Sequence, residues 1–256
     1  MSLITLQKTL KQSANRQKAK FLQRYFKTGK GEYGEGDIFL GITVPELRKI
    51  AARFTDLPFS DLAKLLKSKV HEHRFIALEI LVMKFEKSRA KSSARDLSKQ
   101  KAIIDFYLNH TAGINNWDLV DTSSWPILGA WLFDQKRDNS HAGNKSLRNA
   151  KNRAILYKLV RSKNIWERRM AIVSTYFFIT KNEFGDTLKI ATILLNDAHD
   201  LIHKAVGWML REVSKRDKAI LKKFLKTHAA AMPRTMLRYA IEKFPPAARK
   251  RYLSAV

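Results

Sequence analysis

The stretch Lys204-Ala205-Val206-Gly207-Trp208-Met209-Leu210-Arg211-Glu212 lies inside a helical apolar pattern over Leu201–Val213. Its opening, a base just before a small residue and an aliphatic one, returns in Arg169-Met170-Ala171-Ile172 and in Arg238-Tyr239-Ala240-Ile241. Ala171, Ala205 and Ala240 are 34 and 35 residues apart, and Arg74–Leu78 has the same texture earlier in the chain. A period of that size is one helix pair, which cannot bury its apolar face alone and so stacks on its neighbours. The expectation is a solenoid of stacked antiparallel helix pairs. Gly207 costs about 1 kcal/mol relative to alanine inside a helix, so it marks a place where another backbone comes close.

The helical period continues outward in both directions. Ser2–Thr28, Ser60–Lys67, Glu72–Phe85, Ser93–His110, Leu147–Arg161, Ile165–Ile179, Phe184–Leu195, Ala219–Thr227 and Met236–Phe244 carry apolar residues at helical spacing. A last turn enters through Pro245-Pro246. Thr43-Val44-Pro45-Glu46 reads as a capping box, with Thr43 at the N-cap and Glu46 at N3, ahead of Leu47, Ile50, Ala51 and Phe54. Such a terminus presents backbone N–H groups suited to a phosphate. Gly29–Gly36 is glycine-rich, but it lacks the Gly-Lys-Ser/Thr ending of a phosphate loop and follows a helix, so it reads as a mobile connector. The polar segment Gln135–Lys145 reads as a second long loop, and His71 and His73 as surface or capping histidines. No sustained period-two pattern or Asn-Gly hairpin signal occurs. The expected fold is all-α: one HEAT-like helical-repeat domain over 1–256, its concave face lined by bases recurring once per repeat.

Charge says what such a face would meet. Lys and Arg number 49 against 23 Asp and Glu, a net charge of +26 over 256 residues. That excess is the footprint of a protein that binds a polyanion, most simply nucleic acid. The absence of cysteine excludes disulfides, thiolate catalysis and Cys-type zinc sites. Lys8 and Lys11 sit in an N-terminus without an apolar stretch, and no uncharged run is long enough to span a bilayer. A soluble, cytoplasmic protein is expected. His199 and His203 stand at i and i+4, but with no Glu after the first and no third ligand they fail the zinc-peptidase pattern, and no metal is expected.

The chemistry centres on Asn115-Asn116-Trp117-Asp118-Leu119-Val120-Asp121. Asn115 or Asn116 serves as N-cap, Asp118 falls in the first turn where the macrodipole favours an anion, and Pro126 limits the helix. Trp117 and Asp121, four apart, share one side, which sets an indole beside a carboxylate. Taken alone, that is a capped helix with a core tryptophan. Trp166-Glu167-Arg168-Arg169, the Lys204–Glu212 stretch with Trp208 and Arg211, and Met232-Pro233-Arg234-Thr235 leading to Arg238 add alternating aromatic and guanidinium groups. That combination contacts sugars, bases and phosphates.

Asn-Asn-Trp-Asp-Leu-Val-Asp, Trp-Glu-Arg-Arg-Met-Ala-Ile, Lys-Ala-Val-Gly-Trp-Met-Leu-Arg-Glu and Pro-Arg-Thr-x-Leu-Arg-Tyr-Ala-Ile-Glu-Lys-Phe resemble the bacterial DNA alkylation repair glycosylases of the AlkD type. Gly-Ile-Thr-Val-Pro-Glu-Leu-Arg fits their N-terminal part, so the resemblance covers nearly the whole chain in order. It implies a HEAT-like solenoid, acting as a cytoplasmic monomer without cofactor or metal. The implied activity removes cationic N3- or N7-alkylated purines from double-stranded DNA by cleaving the N-glycosidic bond, without base flipping. It implies that Asp121 is the catalytic carboxylate, that Trp117 and Trp208 line the site, and that Arg169, or its neighbour Arg168, is the active-site arginine. Arg211, Thr43, Lys204, Arg234 and Arg238 are then DNA contacts. Val44 and Phe177 depart from the family pattern, being apolar where DNA contacts are expected. Intact Trp117, Asp121, Arg169 and Trp208 favour the enzyme, while those departures leave room for a second reading, a non-catalytic HEAT-like protein that binds damaged or branched DNA. A third, a scaffold for protein cargo, does not account for the basic excess.

Overall fold

The computed structural model describes residues 1–91, 93–138 and 153–254. Among the described residues every regular element is helical, and the nearest thing to a strand is one parallel bridge between Ile38 and Val70. The chain gathers into two compact units, Met1–Ser123 and Ser124–Val256.

The first unit holds α1 (Leu3–Gln12), α2 (Arg16–Tyr25), α3 (Val44–Arg53), α4 (Phe59–Leu66), α5 (His71–Arg89), α6 (Ala94–Asn109) and α7 (Trp117–Ser124), whose last residue begins the second unit. Ser2–Thr28 is thus two helices, not one. Asn15 divides it, its side chain capping the Lys18 N–H at 2.9 Å, while its own N–H donates to the Leu40 carbonyl at 2.8 Å. Short-range propensity favours continuation there, and a local cap plus a non-local bond overrides it. At α3 Thr43 occupies the N-cap without a side-chain hydrogen bond, so the capping box does not form. The glycine-rich stretch is tied down by its own acids: Glu32 accepts the Gly29 N–H and Glu35 the Gly31 N–H, each at 2.8 Å. Those carboxylates stand where a phosphate would have to sit.

The long central α5 is buried over much of its length, covering Phe75, Ile76, Leu78, Ile80, Leu81 and Phe85 together with the polar His71, Glu72, Arg74 and Glu79, and it packs on α3, α4 and α6. A helix of that kind is the spine of its unit.

The second unit opens with a π turn, Trp125–Gly129, followed by α8 (Ala130–Asp138). Pro126 therefore does not limit the helix: the wider turn absorbs a residue that has no N–H to give. Helix α9 covers 153–159, followed by α10 (Ile165–Ser174), α11 (Tyr176–Thr180), α12 (Gly185–Ile193), α13 (Asp200–Arg216), α14 (Lys218–His228), α15 (Arg234–Ala240) and α16 (Pro246–Ser254). The expected loop over Gln135–Lys145 is helical to Asp138, and its remainder, with the start of the Leu147–Arg161 helix, lies outside the described residues. Ile165–Ile179 breaks at Thr175, whose hydroxyl donates back to the Ile172 carbonyl at 2.7 Å. The turn expected after Pro245 is a nine-residue helix.

Ala171, Ala205 and Ala240 are all buried, one on each of α10, α13 and α15, and α13 packs on both of the others. The small residue of each repeat is where helices cross closely. Gly207 marks one such close approach: a Cβ there would meet the Met236 carbonyl oxygen and the Tyr239 Cβ, both at 2.5 Å. Gly207→Ala should therefore destabilise the protein by about 1–3 kcal/mol through overpacking, although alanine is the better helix former. Urea unfolding checks this, and an unchanged or raised midpoint would mean that α15 yields.

Candidate functional site

In the first unit the site is assembled around the start of α7. Asn116, fully buried, accepts the Trp117 N–H at 2.8 Å, and its carbonyl takes the Val120 N–H at 3.2 Å. It is the N-cap. Its amide also reaches Asp37 at 3.4 Å. Asp37 Oδ2 further accepts Arg74 at 2.6 Å and the Nδ1 of His71 at 3.2 Å. On its other side the His71 Nε2 meets Asp118 at 2.7 Å.

Both ring nitrogens of His71 thus face carboxylates, and only the imidazolium can donate to both. His71, Asp37 and Arg74 are nearly inaccessible, with side chains 3%, 7% and 3% exposed. Burial opposes the charge on His71, but the charge and hydrogen bond of Asp118, with the hydrogen bond of Asp37, raise its pKa to about 9 against the pull of Arg74. Burial likewise opposes ionisation of Asp37, yet His71 and Arg74 hold its carboxyl below the usual range. His71 is neither a surface nor a capping histidine. Its ring lies against Phe39 at 4.5 Å and Phe26 at 5.0 Å, and Phe26 stacks in turn on Trp117 at 5.1 Å with planes 8° apart.

That stack fixes one face of the Trp117 indole, and Tyr25 meets its edge at 6.0 Å. Leu119 and Val120 are fully buried, so Trp117 and Asp121 fall on the half-exposed side of α7. Ser123 donates to the Leu119 carbonyl at 2.6 Å and is bonded to the buried Tyr107 hydroxyl at 2.9 Å. Burial and the nearby charge of Asp121 raise the Tyr107 pKa, while the Ser123 bond acts the other way. Thr122 and Arg48 share the Glu79 carboxylate, at 3.1 and 3.0 Å. The residues flanking Asp121 are therefore locked on both sides. Thr43 and Val44 are exposed at the start of α3.

The second unit carries the remaining residues. Trp208, on α13, is half-exposed and lies 6.0 Å from the ring of Tyr176, which meets Trp125 edge-on at 5.3 Å. Arg169 is buried and donates to the Leu201 carbonyl at 2.5 Å, at the start of α13. Its neighbour Arg168 pairs with both oxygens of Asp197, at 2.6 and 3.3 Å, and caps the carbonyls of Ser162 and Lys163. Arg211 is paired with Glu242 and Glu212, and Lys204 with Asp200 at 2.7 Å. Arg234 donates to the Leu253 carbonyl, and Arg238 is exposed. Phe177 is buried. His199 caps α13 and His203 bonds the Asp197 carbonyl; among the described residues no three acids or histidines are grouped to hold a metal. None of the described helices is long and apolar enough to cross a membrane.

These motifs recur elsewhere. A family model described as DNA alkylation repair enzyme matches residues 6–244. The chain belongs to that family. Among solved structures, a predicted DNA alkylation repair enzyme from Enterococcus faecalis matches over 91% of this chain and 98% of its own, with 17% identity and a TM-score of 0.65. AlkD2 from Streptococcus mutans matches over 90% and 99%, with 18% identity and a TM-score of 0.52. At such identities the likeness speaks to the fold, an all-helical repeat. No curated protein sequence matches the chain. As a DNA alkylation repair family member, the protein has its place in that repair and DNA as its partner.

The sequence missed the Asp37–His71–Asp118 bridge in this family member. Its only local hint was Asp118 in the first turn of α7, since its three members are separated by 34 and 47 residues. The bridge makes stability depend on pH. With a pKa raised from 6.5 to about 9, His71 contributes fully below the lower value and progressively less as pH rises through the upper one. Asp37, shifted downward from 3.8, loses its contribution only as the medium turns acid through that region. The urea midpoint should fall across the alkaline window, and His71→Gln should cost roughly 3–5 kcal/mol at neutral pH and remove that slope. A native profile flat across the window would mean that His71 is neutral when folded.

Proposed function

We propose that the protein is a DNA glycosylase that hydrolyses the N-glycosidic bond of cationic N3- and N7-alkylated purines in double-stranded DNA, without cofactor or metal and without base flipping. The observation that carries this reading is Asp121 standing one helical turn beyond Trp117 on the half-exposed side of α7, with the start of that helix clamped by the buried Asp37–His71–Asp118 bridge. An alkylated purine is already a cation, so it departs as a neutral base and the sugar left behind resembles an oxocarbenium ion. Asp121 stabilises that charge and orients the water that attacks C1′. Trp117 and Trp208 pack on the deoxyribose, whose polarised C–H groups suit an electron-rich indole face. Arg169 steadies the start of α13, the helix that carries Trp208, and supplies positive charge to the phosphates by the lesion. Arg211, Thr43, Arg168, Lys204, Arg234 and Arg238 bear on the backbone elsewhere, and the protein acts as a cytoplasmic monomer.

A second reading, a non-catalytic protein that binds damaged or branched DNA, is favoured by the exposed Val44 at the start of α3, an apolar side chain where a DNA contact is expected. Release of 7-methylguanine from duplex DNA separates the two. Asp121→Asn should lower release by roughly 10²–10⁴-fold and leave DNA affinity, which weakens steeply with salt, as it was. Release unchanged by the substitution would remove Asp121 from the chemistry. No release by the native chain, with salt-sensitive binding kept, would establish the binder.

A further inference from the structure

About 20 Å along α5 from His71, by helical rise, a cavity of about 360 Å³ opens between the turn before α4, the far end of α5 and the facing part of α6. Lys84 and Lys87 stand one turn apart on α5, Lys91 follows just past the end of that helix, and Lys99 enters from α6. Of the two carboxylates that line it, Asp96 is already engaged, accepting the Ser93 hydroxyl and the Lys99 ammonium. Among the described residues no acid holds Lys84, Lys87 or Lys91 in an ion pair; Asp56 acts on Lys84 only through the field. Lys84 is half-buried, and burial lowers its pKa, Asp56 opposing and Lys87 adding to the shift. Ammonium groups gathered in a concavity repel one another until an anion enters. The apolar part of the lining is Phe59, Ala102 and Ile103, with the Phe59 ring set by stacking on Phe106 at 4.9 Å.

We propose that this cavity binds a small phosphorylated molecule with a flat apolar part, of which a nucleotide is the natural class. Lys84, Lys87 and Lys91 take the phosphates, and Phe59 with Ile103 receives the base. Lys84, half-buried, is the most enclosed of the three lysines, Lys87 and Lys91 being exposed. The site is separate from Trp117 and Asp121 and does not depend on the glycosylase reading.

Calorimetric titration of the full chain with ADP in about 0.15 M salt, where long-range surface attraction is screened, tests this. Saturable binding is expected. Lys84→Gln with Lys87→Gln should weaken it by at least about tenfold, two charged hydrogen bonds being lost. Lys222→Gln with Lys223→Gln, on exposed positions of α14, should leave it unchanged and serves as the charge-matched control. Equal affinity in the two double variants, or no saturable binding by the native chain, would overturn the proposal. So would a loss of duplex affinity in the first variant as large as its loss of ADP, since the cavity would then belong to the DNA face. Circular dichroism and an unchanged urea midpoint confirm that the variants are folded.

Discussion

A buried imidazolium between two carboxylates sets the terms for the first unit. His71 reaches Asp37 in the segment before α3 and Asp118 at the start of α7, and Arg74 completes a set whose charges balance. Taking such groups out of water is costly, and a hydrophobic cluster of similar volume would stabilise as well or better. What the ionic arrangement provides is direction. Each bond has one partner and one geometry, so the helix bearing Trp117 and Asp121 has one register relative to α5. The neighbouring Glu72 does the same for the loop, its carboxylate accepting the N–H groups of Leu40, Gly41 and Ile42.

The same economy runs through the rest of the charge. The chain carries a large basic excess, yet many of its arginines are spent internally: Arg74 on Asp37, Arg153 on Asp186 and Glu183, Arg168 on Asp197, Arg211 on Glu242. A planar, weakly hydrated fork suits bidentate and half-buried pairing, whereas an ammonium on a long stem keeps its water. Several of the scarce acids are thereby held at arginines, while others pair with lysines of their own helix, as Asp61 with Lys64 and Asp105 with Lys101. Exposed lysines such as Lys222, Lys223 and Lys226 on α14 are left to carry the field. A guanidinium visible in the sequence beside a tryptophan is therefore as much a structural clamp as a candidate phosphate contact, and Arg168 illustrates it.

What could be read in the sequence divides along the range of the interactions. The 3.6-residue period located most helices, the recurrent alanines marked the packed faces of α10, α13 and α15, and Gly207 announced the approach of α15. These are properties of a few neighbouring residues. The break at Asn15 depends on Leu40, and the π turn at Pro126 accompanies a close approach of the Ser174 carbonyl to Gly129. His71 could not be placed because its partners lie 34 residues before it and 47 after. At the candidate site the motif supplied Trp117 and Asp121 directly, while Tyr176 and Trp125 beside Trp208 carried no motif at all.

The site's modest construction fits the substrate proposed for it. An ordinary glycosidase needs two carboxylates, because its leaving group must be protonated while the sugar is attacked. A purine that is already cationic needs no acid. One carboxylate is then enough, provided it is ionised and held still. Asp121 stands between Trp117, stacked on Phe26, and Ser123, bonded to Tyr107 and to Leu119. Rigid neighbours of this kind hold a charge where it is wanted without reorganisation during the reaction, which is where electrostatic stabilisation gains its effect. The energy that a deep pocket would spend on drawing a base out of the stack is not required, and a half-exposed helix face can do the work.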